Sequence, residues 1–245
     1  MDRMLEATAR AEDRHFWFLG LRRNAQQVLE RAVAGRRGLT IVDCGAGTGR
    51  NLDWLSAFGL ATGVELSATG LAEGRRHQRR MVRGSVAALP FADASADVAT
   101  SFDVLYCLPD PIEHAAVREM HRVLKPGGVA IVNAAALDML HGSHSALTHE
   151  LRRYTRPRLR QLLEGAGFEI ERMTFTNMVT FPVTLAVRWL DRVRGRAAVA
   201  SEDDLAVPAA PINAAFDAAL RVEHVVMKAI DLPIGTSLLC VARKR

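Results

Sequence analysis

Ile41-Val42-Asp43-Cys44-Gly45-Ala46-Gly47-Thr48-Gly49-Arg50 is the stretch on which the reading of this chain turns. An apolar, β-branched run enters a turn with glycine at every second position, and Arg50–Phe58 follows as a predicted helix. Glycines at such a turn permit positive φ and let a ligand approach the backbone, while the next helix offers unpaired N–H groups. A dinucleotide site asks for G-x-G-x-x-G, so that a pyrophosphate rests on the helix N-terminus. Here the spacing is G-x-G-x-G, and Arg50 stands where the third dinucleotide glycine would be. Glu65 closes the next predicted strand, twenty residues after Gly45, where an acidic side chain can accept hydrogen bonds from both hydroxyls of a ribose. The combination suits an adenosine without requiring a diphosphate. Alone, the glycine run is also a plain tight turn and Glu65 an exposed strand-end carboxylate; strand, helix and spacing together give the functional reading its weight.

Working outward, short apolar runs close at Leu39–Cys44, Ala61–Val64, Arg80–Val82, Val98–Phe102 and Val129–Asn133. The helix-like stretches Arg50–Phe58, Ala68–Arg76 and Pro111–Leu124 separate them. Strands spaced by helices imply βαβ units and a parallel sheet covered on both faces, an α/β fold. Residues 2–34 read as two helices joined across His15-Phe16-Trp17-Phe18. After a helix at Pro157–Glu164 come a strand at Phe168–Thr174, helices at Val179–Val193 and Ile212–Ile230, and a last strand at Ser237–Ala242.

The bounds are ordinary for one globular domain. The chain has 245 residues, 49% hydrophobic and 24% charged, with a formal net charge of +5. That composition argues against overall disorder, and a mild charge spread over scattered arginines does not point to nucleic acid. Cys44, Cys107 and Cys240 stand far apart, without a C-x-x-C pair, and fit a reducing, cytoplasmic setting. Asp2, Arg3, Glu6 and Arg10 break any apolar signal core near the N-terminus. The longest uncharged run, Met173–Val187, contains Pro182 and is too short to span a bilayer, so no transmembrane segment is expected.

The quoted loop and four further stretches resemble the class I S-adenosylmethionine (SAM)-dependent methyltransferases. Val42 to Gly49 resembles their first motif and Gly63-Val64-Glu65-Leu66-Ser67 the second. Gly84 to Phe91 resembles the loop that holds the adenine, Ser101 to Leu105 the end of strand four, and Glu119 to Gly128 the turn before strand five. The resemblance covers about residues 36–175. It implies a doubly wound, seven-stranded, mostly parallel Rossmann-like sheet whose last strand is antiparallel, with SAM at its carboxyl edge. The implied cofactor contacts are Asp43, Gly45, Ala46, Gly47, Gly49, Glu65, Leu66, Ser85, Val86, Phe102 and Asp103. In these roles Asp43 anchors the loop, Glu65 holds the ribose, Ser85 and Val86 lie along the adenine, and Phe102 and Asp103 lie near the methionine end. Two positions depart from the family pattern. Ser85 stands where many relatives have Asp, and Cys107 where many have His; Cys107 reads as a small apolar wall residue rather than a nucleophile.

Glu12 to Phe18 with Arg22-Arg23, and His144 to Thr155, resemble motifs of one bacterial subgroup of these enzymes. Trp17 is expected at the cofactor, because an aromatic face attracts a sulfonium; Phe16 and Phe18 equally well pack the N-terminal helix on the sheet. The segment after strand five should emerge at the ligand edge. It offers His149 as first candidate base, His144 as second, and Arg153 and Tyr154 to orient an acceptor. The plainer alternative pairs Arg152 and Arg153 with acids of the N-terminal cover. His141, His144 and His149 match no zinc spacing, so no metal is expected. The Arg-rich runs Arg75–Arg80 and Arg152–Arg160 have no stacking platform beside them and read as solvated helix surface rather than a nucleic-acid interface.

The expectation is therefore a single methyltransferase domain over 1–245. It comprises a helical cover at 1–35, a SAM-binding core at 36–175, a helical lid at 176–232 and the last strand at 233–245. It would move a methyl group from SAM to an oxygen or nitrogen of a small, partly apolar acceptor. The alternatives are a SAM- or nucleic-acid-binding module without catalysis, or a nicotinamide-dependent oxidoreductase. The lid helix, with Phe181, Val183, Leu185, Trp189 and Leu190, should wall the acceptor pocket, and the loop Arg196–Pro211 should be mobile. Arg188, Asp191 and Arg192 give that helix no extended basic face for a membrane. The acceptor and the oligomeric state are not legible.

Overall fold

The computed structural model describes residues 2–141, 150–193 and 206–245, apart from the side chain of Asp191. Seven strands form one sheet: β1 (Leu39–Cys44), β2 (Gly59–Glu65), β3 (Met81–Arg83), β4 (Ala96–Phe102), β5 (Leu124–Ala135), β6 (Phe168–Thr176) and β7 (Ser237–Lys244). Their order is β3-β2-β1-β4-β5-β7-β6, and only β7 runs antiparallel to its neighbours. This is the doubly wound sheet with one reversed strand that the resemblance implies. Chain order turns back between β1 and β4, which pair directly through Ile41 with Val98 and Asp43 with Thr100. Their carboxyl ends open a crevice at this switch point, where ligands of open α/β sheets bind.

Strands buried on both faces must be apolar throughout, and β1, the middle of β4 and β5 from Val129 to Ala134 are buried. The helices that cover them are α1 (Asp2–Ala11), α2 (Phe16–Ala32), α3 (Leu52–Leu55), α4 (Ala68–Arg76), α5 (Asp110–Val123), α6 (Arg156–Gly165), α7 (Phe181–Val193) and α8 (Ala210–Val226). Polar caps start several of them. His15 Nδ1 accepts from Trp17 N, the Ser67 hydroxyl from Thr69 N and Gly70 N, and the Thr155 hydroxyl from Arg158 N.

Two elements differ from the sequence reading. The helix expected over Arg50–Phe58 is the single turn α3, because three-residue bonds tighten both its ends: Leu52 N donates to Gly49 O and Phe58 N to Leu55 O. Lys125 to Gly128, expected as a turn before strand five, lie inside β5 as an irregularity where its pairing with β4 jumps from Ala96–Leu124 to Val98–Val129. Asp97, at the jump, accepts both Lys125 Nζ and Thr40 N.

The insertion between β6 and β7 does not act as one unit. Helix α8 packs along α2, with Leu220 against Gly20, Phe216 ring to ring with Phe16 at 4.9 Å, and Arg23 paired to Asp217. Helix α7 leaves the carboxyl edge after β6 and lies by a short turn at Asp138–Leu140 that follows β5. Most of the loop expected at Arg196–Pro211 lies outside the described residues.

Candidate functional site

Where β1 ends, Gly45 has φ +79°, and a Cβ there would fall 2.5 Å from Cγ2 of Val104. Only glycine fits this close approach of the loop to the end of β4. Gly45 N and Ala46 N both donate to Val64 O at 2.9 Å, which ties the loop to β2. Glu65 then gathers the loop. Its Oε2 accepts from Gly47 N at 2.8 Å, and its Oε1 from Leu66 N and Ser67 N at 2.8 and 2.7 Å. A carboxylate carries about four lone-pair positions. Three are used among the described residues, so Oε2 keeps capacity for a ligand hydroxyl. Beneath the loop, Asp43 is buried and accepts the Thr100 hydroxyl at 2.7 Å, clamping β1 to β4. Its second oxygen has no partner among the described residues, and burial pushes its carboxyl up to about 7.

The crevice holds a cavity of about 330 Å³, at the small end of the roughly 300–1,000 Å³ typical of ligand sites. Glu65, Leu66, Ser85 and Val86 wall one part of it, and Phe102, Asp103, Tyr106 and Cys107 another. The Ser85 hydroxyl accepts from Ala87 N at 3.2 Å, which folds its loop back on itself. Asp103 takes the left-handed conformation, φ +59°, and receives the Asn133 amide on both oxygens at 3.0 and 3.1 Å. Withdrawal from bulk water pushes its carboxyl up to about 7, against the pull of that amide. The same burial pushes the Cys107 thiol up to about 12, so it stays protonated and fits a wall rather than a nucleophile.

The roof comes from the N-terminal cover. Leu5 and Thr8 of α1, Glu12 beyond it, and Trp17, Phe18 and Arg22 of α2 all face the cavity. Glu12 is buried, and both its oxygens take the hydroxyl of Thr48, in the glycine loop, at 3.0 and 2.8 Å. Burial raises the Glu12 pKa, and the Thr48 hydrogen bond opposes that. Arg22 donates to Glu12 O at 2.5 Å. Asp13 receives Arg50 Nε, and the Ser67 hydroxyl donates to Asp2 at 3.0 Å. The cover is thus laced to the loop and to the start of α4.

Ten of the residues implied as cofactor contacts line this one cavity: Gly45, Ala46, Gly47, Glu65, Leu66, Ser85, Val86, Phe102, Asp103 and Trp17. Asp43 supports it from below. Gly49 turns the chain away from it, toward Met81. Phe18 joins Trp17 in the wall, while Phe16 packs on α8. Tyr154 corrects the expectation of an acceptor contact: it is fully buried, its hydroxyl donates to Glu113, and it does not line the cavity. Arg152 pairs with Asp110 and Glu113 of α5, and Arg153 with Glu150, not with the N-terminal cover. His144 and His149 lie outside the described residues. No residue of α7 is in the cavity wall. The sequence reading missed Glu12, Thr48 and Arg22 as site residues; the signal was the acid–aromatic–arginine pattern before a loop whose only hydroxyl is Thr48.

Residues 42–132 match a family model described as a methyltransferase domain. A Mycolicibacterium smegmatis protein named "Probable S-adenosylmethionine-dependent methyltransferase" is 31% identical over 164 residues, which cover 65% of this chain and 62% of that protein. A malonyl-acyl-carrier-protein O-methyltransferase of Enterobacter lignolyticus is 36% identical over 123 residues, 49% of this chain and 47% of that one. The chain therefore spans about half to six-tenths of these relatives. In fold it is similar to Burkholderia thailandensis 1,6-didemethyltoxoflavin-N1-methyltransferase, whose crystal structure holds 1,6-didemethyltoxoflavin and S-adenosylhomocysteine. The TM-score is 0.55 at 17% identity, over 91% of this chain and 77% of that one.

Proposed function

We propose, for a chain that belongs to the class I SAM-dependent methyltransferases, that it moves a methyl group from SAM to an oxygen or nitrogen of a small, partly apolar acceptor. One observation carries this reading: a single cavity runs from the Glu65 carboxylate, which keeps one acceptor position, to the half-buried Asp103, under an aromatic roof. The residues present fit the cofactor. Gly45 lets the loop close on Val104 and brings bare backbone to the cavity wall, Glu65 suits a ribose hydroxyl, and Val86 offers an apolar wall for a base. Trp17 and Phe18 offer ring faces to a cation, a contact of about 0.5–2 kcal/mol. When bound, SAM supplies an electrophilic methyl on a sulfonium.

The protein's own contribution is to align and to deprotonate. The laced cover roofs the cavity, and the loop fixes one partner relative to the other, which is where most of the acceleration of a two-body displacement arises. An acceptor hydroxyl or ammonium must lose a proton. His149 is the first proposed base and His144 the second, on the segment that follows β5. Asp103 is a second reading, favoured by its place in the cavity wall and a carboxyl held near 7. The setting is proposed to be cytoplasmic.

The test has two parts. Titration calorimetry should show SAM binding at one site, and incubation of the protein with SAM and a metabolite extract from its source should yield a compound heavier by one methyl. No heat of binding would overturn the proposal; binding without any methylated product would leave a sensor rather than an enzyme.

A further inference from the structure

Strand β5 reads Val129-Ala130-Ile131-Val132-Asn133-Ala134-Ala135, a single polar side chain inside an apolar run. A strand buried on both faces favours β-branched apolar residues at such a position. Asn133 is fully buried, paired with Phe102 of β4 on one side and Leu239 of β7 on the other. Its Nδ2 donates to both carboxyl oxygens of Asp103, and its side chain makes no other hydrogen bond among the described residues. Its Oδ1 is buried without a partner among the described residues. A buried acceptor left unmade costs about 1–3 kcal/mol, which an apolar side chain here would avoid. The backbone ladder already joins β4 to β5 on its own. What the amide adds is its grip on Asp103.

That grip is double. Asp103 N donates to Asn133 O at 3.0 Å, and Asp103 holds its left-handed conformation where the chain leaves β4 for the cavity wall. One residue therefore fixes both the backbone and the carboxyl of Asp103. The other groups that act on this carboxyl are Glu150, which favours its protonated form, and Arg153, which favours the ionised one. These two are paired with each other. Tyr106 and Cys107, just after it in the chain, are held protonated by burial. Asn133 is the one hydrogen-bond donor to this carboxyl among the described residues.

We propose that Asn133 is a positioning residue for methyl transfer, fixing the Asp103 carboxyl on the cavity wall so that its remaining lone pairs meet an N–H or O–H of the acceptor. The proposal rests on the reading of the cavity as a methyl-transfer site with Asp103 as proton acceptor. An N–H donor favours the ionised carboxyl, so the amide offsets part of the burial that favours the neutral one. Asp103 can then both take up and release a proton near neutral pH.

The test is a carbon-13 NMR titration of the full chain labelled at the aspartate carboxyls, with the Asp103 signal identified by its loss in Asp103→Asn. Two variants remove the donor, Asn133→Val and Asn133→Ala. In both, the Asp103 midpoint should move up from about 7 by about one pH unit or more. Asn133→Val should melt no lower than the wild type, because the orphaned carbonyl leaves with the amide. An amide that only clamps the strands gives the opposite pattern, a lower melting temperature and an unmoved midpoint, and would overturn the proposal. Methylated product formed from SAM and a metabolite extract should rise with pH along each protein's own Asp103 midpoint. A rise that stays put while the midpoint moves would overturn it too. A wild type that binds SAM in calorimetry yet yields no product defeats the methyl-transfer reading itself, a failure that the titration does not share.

Discussion

Glu65 serves the loop before it can serve a ligand, since three backbone amides already point at it. Glu65→Ala removes both functions. SAM affinity measured by calorimetry should fall by about 1.5–3 kcal/mol, the scale of hydrogen bonds to a charged group, and unchanged affinity in a folded variant would remove the ribose assignment. Asp43 and Asp103 act on stability through their protons. Both carboxyls hold a proton up to about 7 when folded, against an ordinary value of 3.8. The unfolded chain thus binds fewer protons between these values, so stability should decline as pH climbs from about 4 to about 7 and level off above. Urea midpoints across that range should show the decline, and Asp43→Asn should flatten part of it. If Asp103 is the proton acceptor, turnover should rise with pH to about 7 and Asp103→Asn should abolish that rise while SAM still binds. If His149 is the base, His149→Ala should instead cost about 10²–10⁴-fold in turnover.

At the scale of elements, the tie between Glu12 and Thr48 holds the roof. Thr48→Val keeps the size of the side chain and removes the hydroxyl, leaving a buried carboxyl without its donor. SAM should dissociate faster from this variant in stopped-flow measurements, and its unfolding free energy in a chemical melt should fall by about 1–3 kcal/mol. Gly20→Val drives a side chain into Leu220, whose Cδ1 lies 2.8 Å from the position of a Cβ. Overpacking of that kind costs about 1–3 kcal/mol, and a chemical melt should show it. The sequence made the strands and most helices legible, because apolar runs between turn residues set them and each of those signals is local. It made the floor of the site legible for the same reason: Gly45, Gly47 and Glu65 lie within one βαβ unit. It did not show where Tyr154 points, since a tyrosine near a binding segment and one buried on Glu113 look alike until the chain is folded. Nor did it show that α7 leaves Val183, Val187 and Trp189 exposed, because periodicity finds two faces and does not say which one is covered.

For the whole molecule, the N-terminal cover and the second helix of the insertion pack on each other. Helix α8 lies on α2, α2 supplies Trp17 and Phe18 to the cavity, and α7 hangs from α8 through Glu223. The interleaved sheet order has a consequence of its own, one of timing. Strand β7 sits between β5 and β6, yet it is synthesised after both. A ribosome-bound chain that has not released Ser237–Lys244 carries a half-sheet ending on the bare edge of β5, with β6 and two helices already made and nowhere to pair. Such an edge invites pairing with other chains. Nascent chains arrested before residue 237 should therefore cling to holdase chaperones, and those arrested far enough beyond residue 244 to clear the exit tunnel should let go.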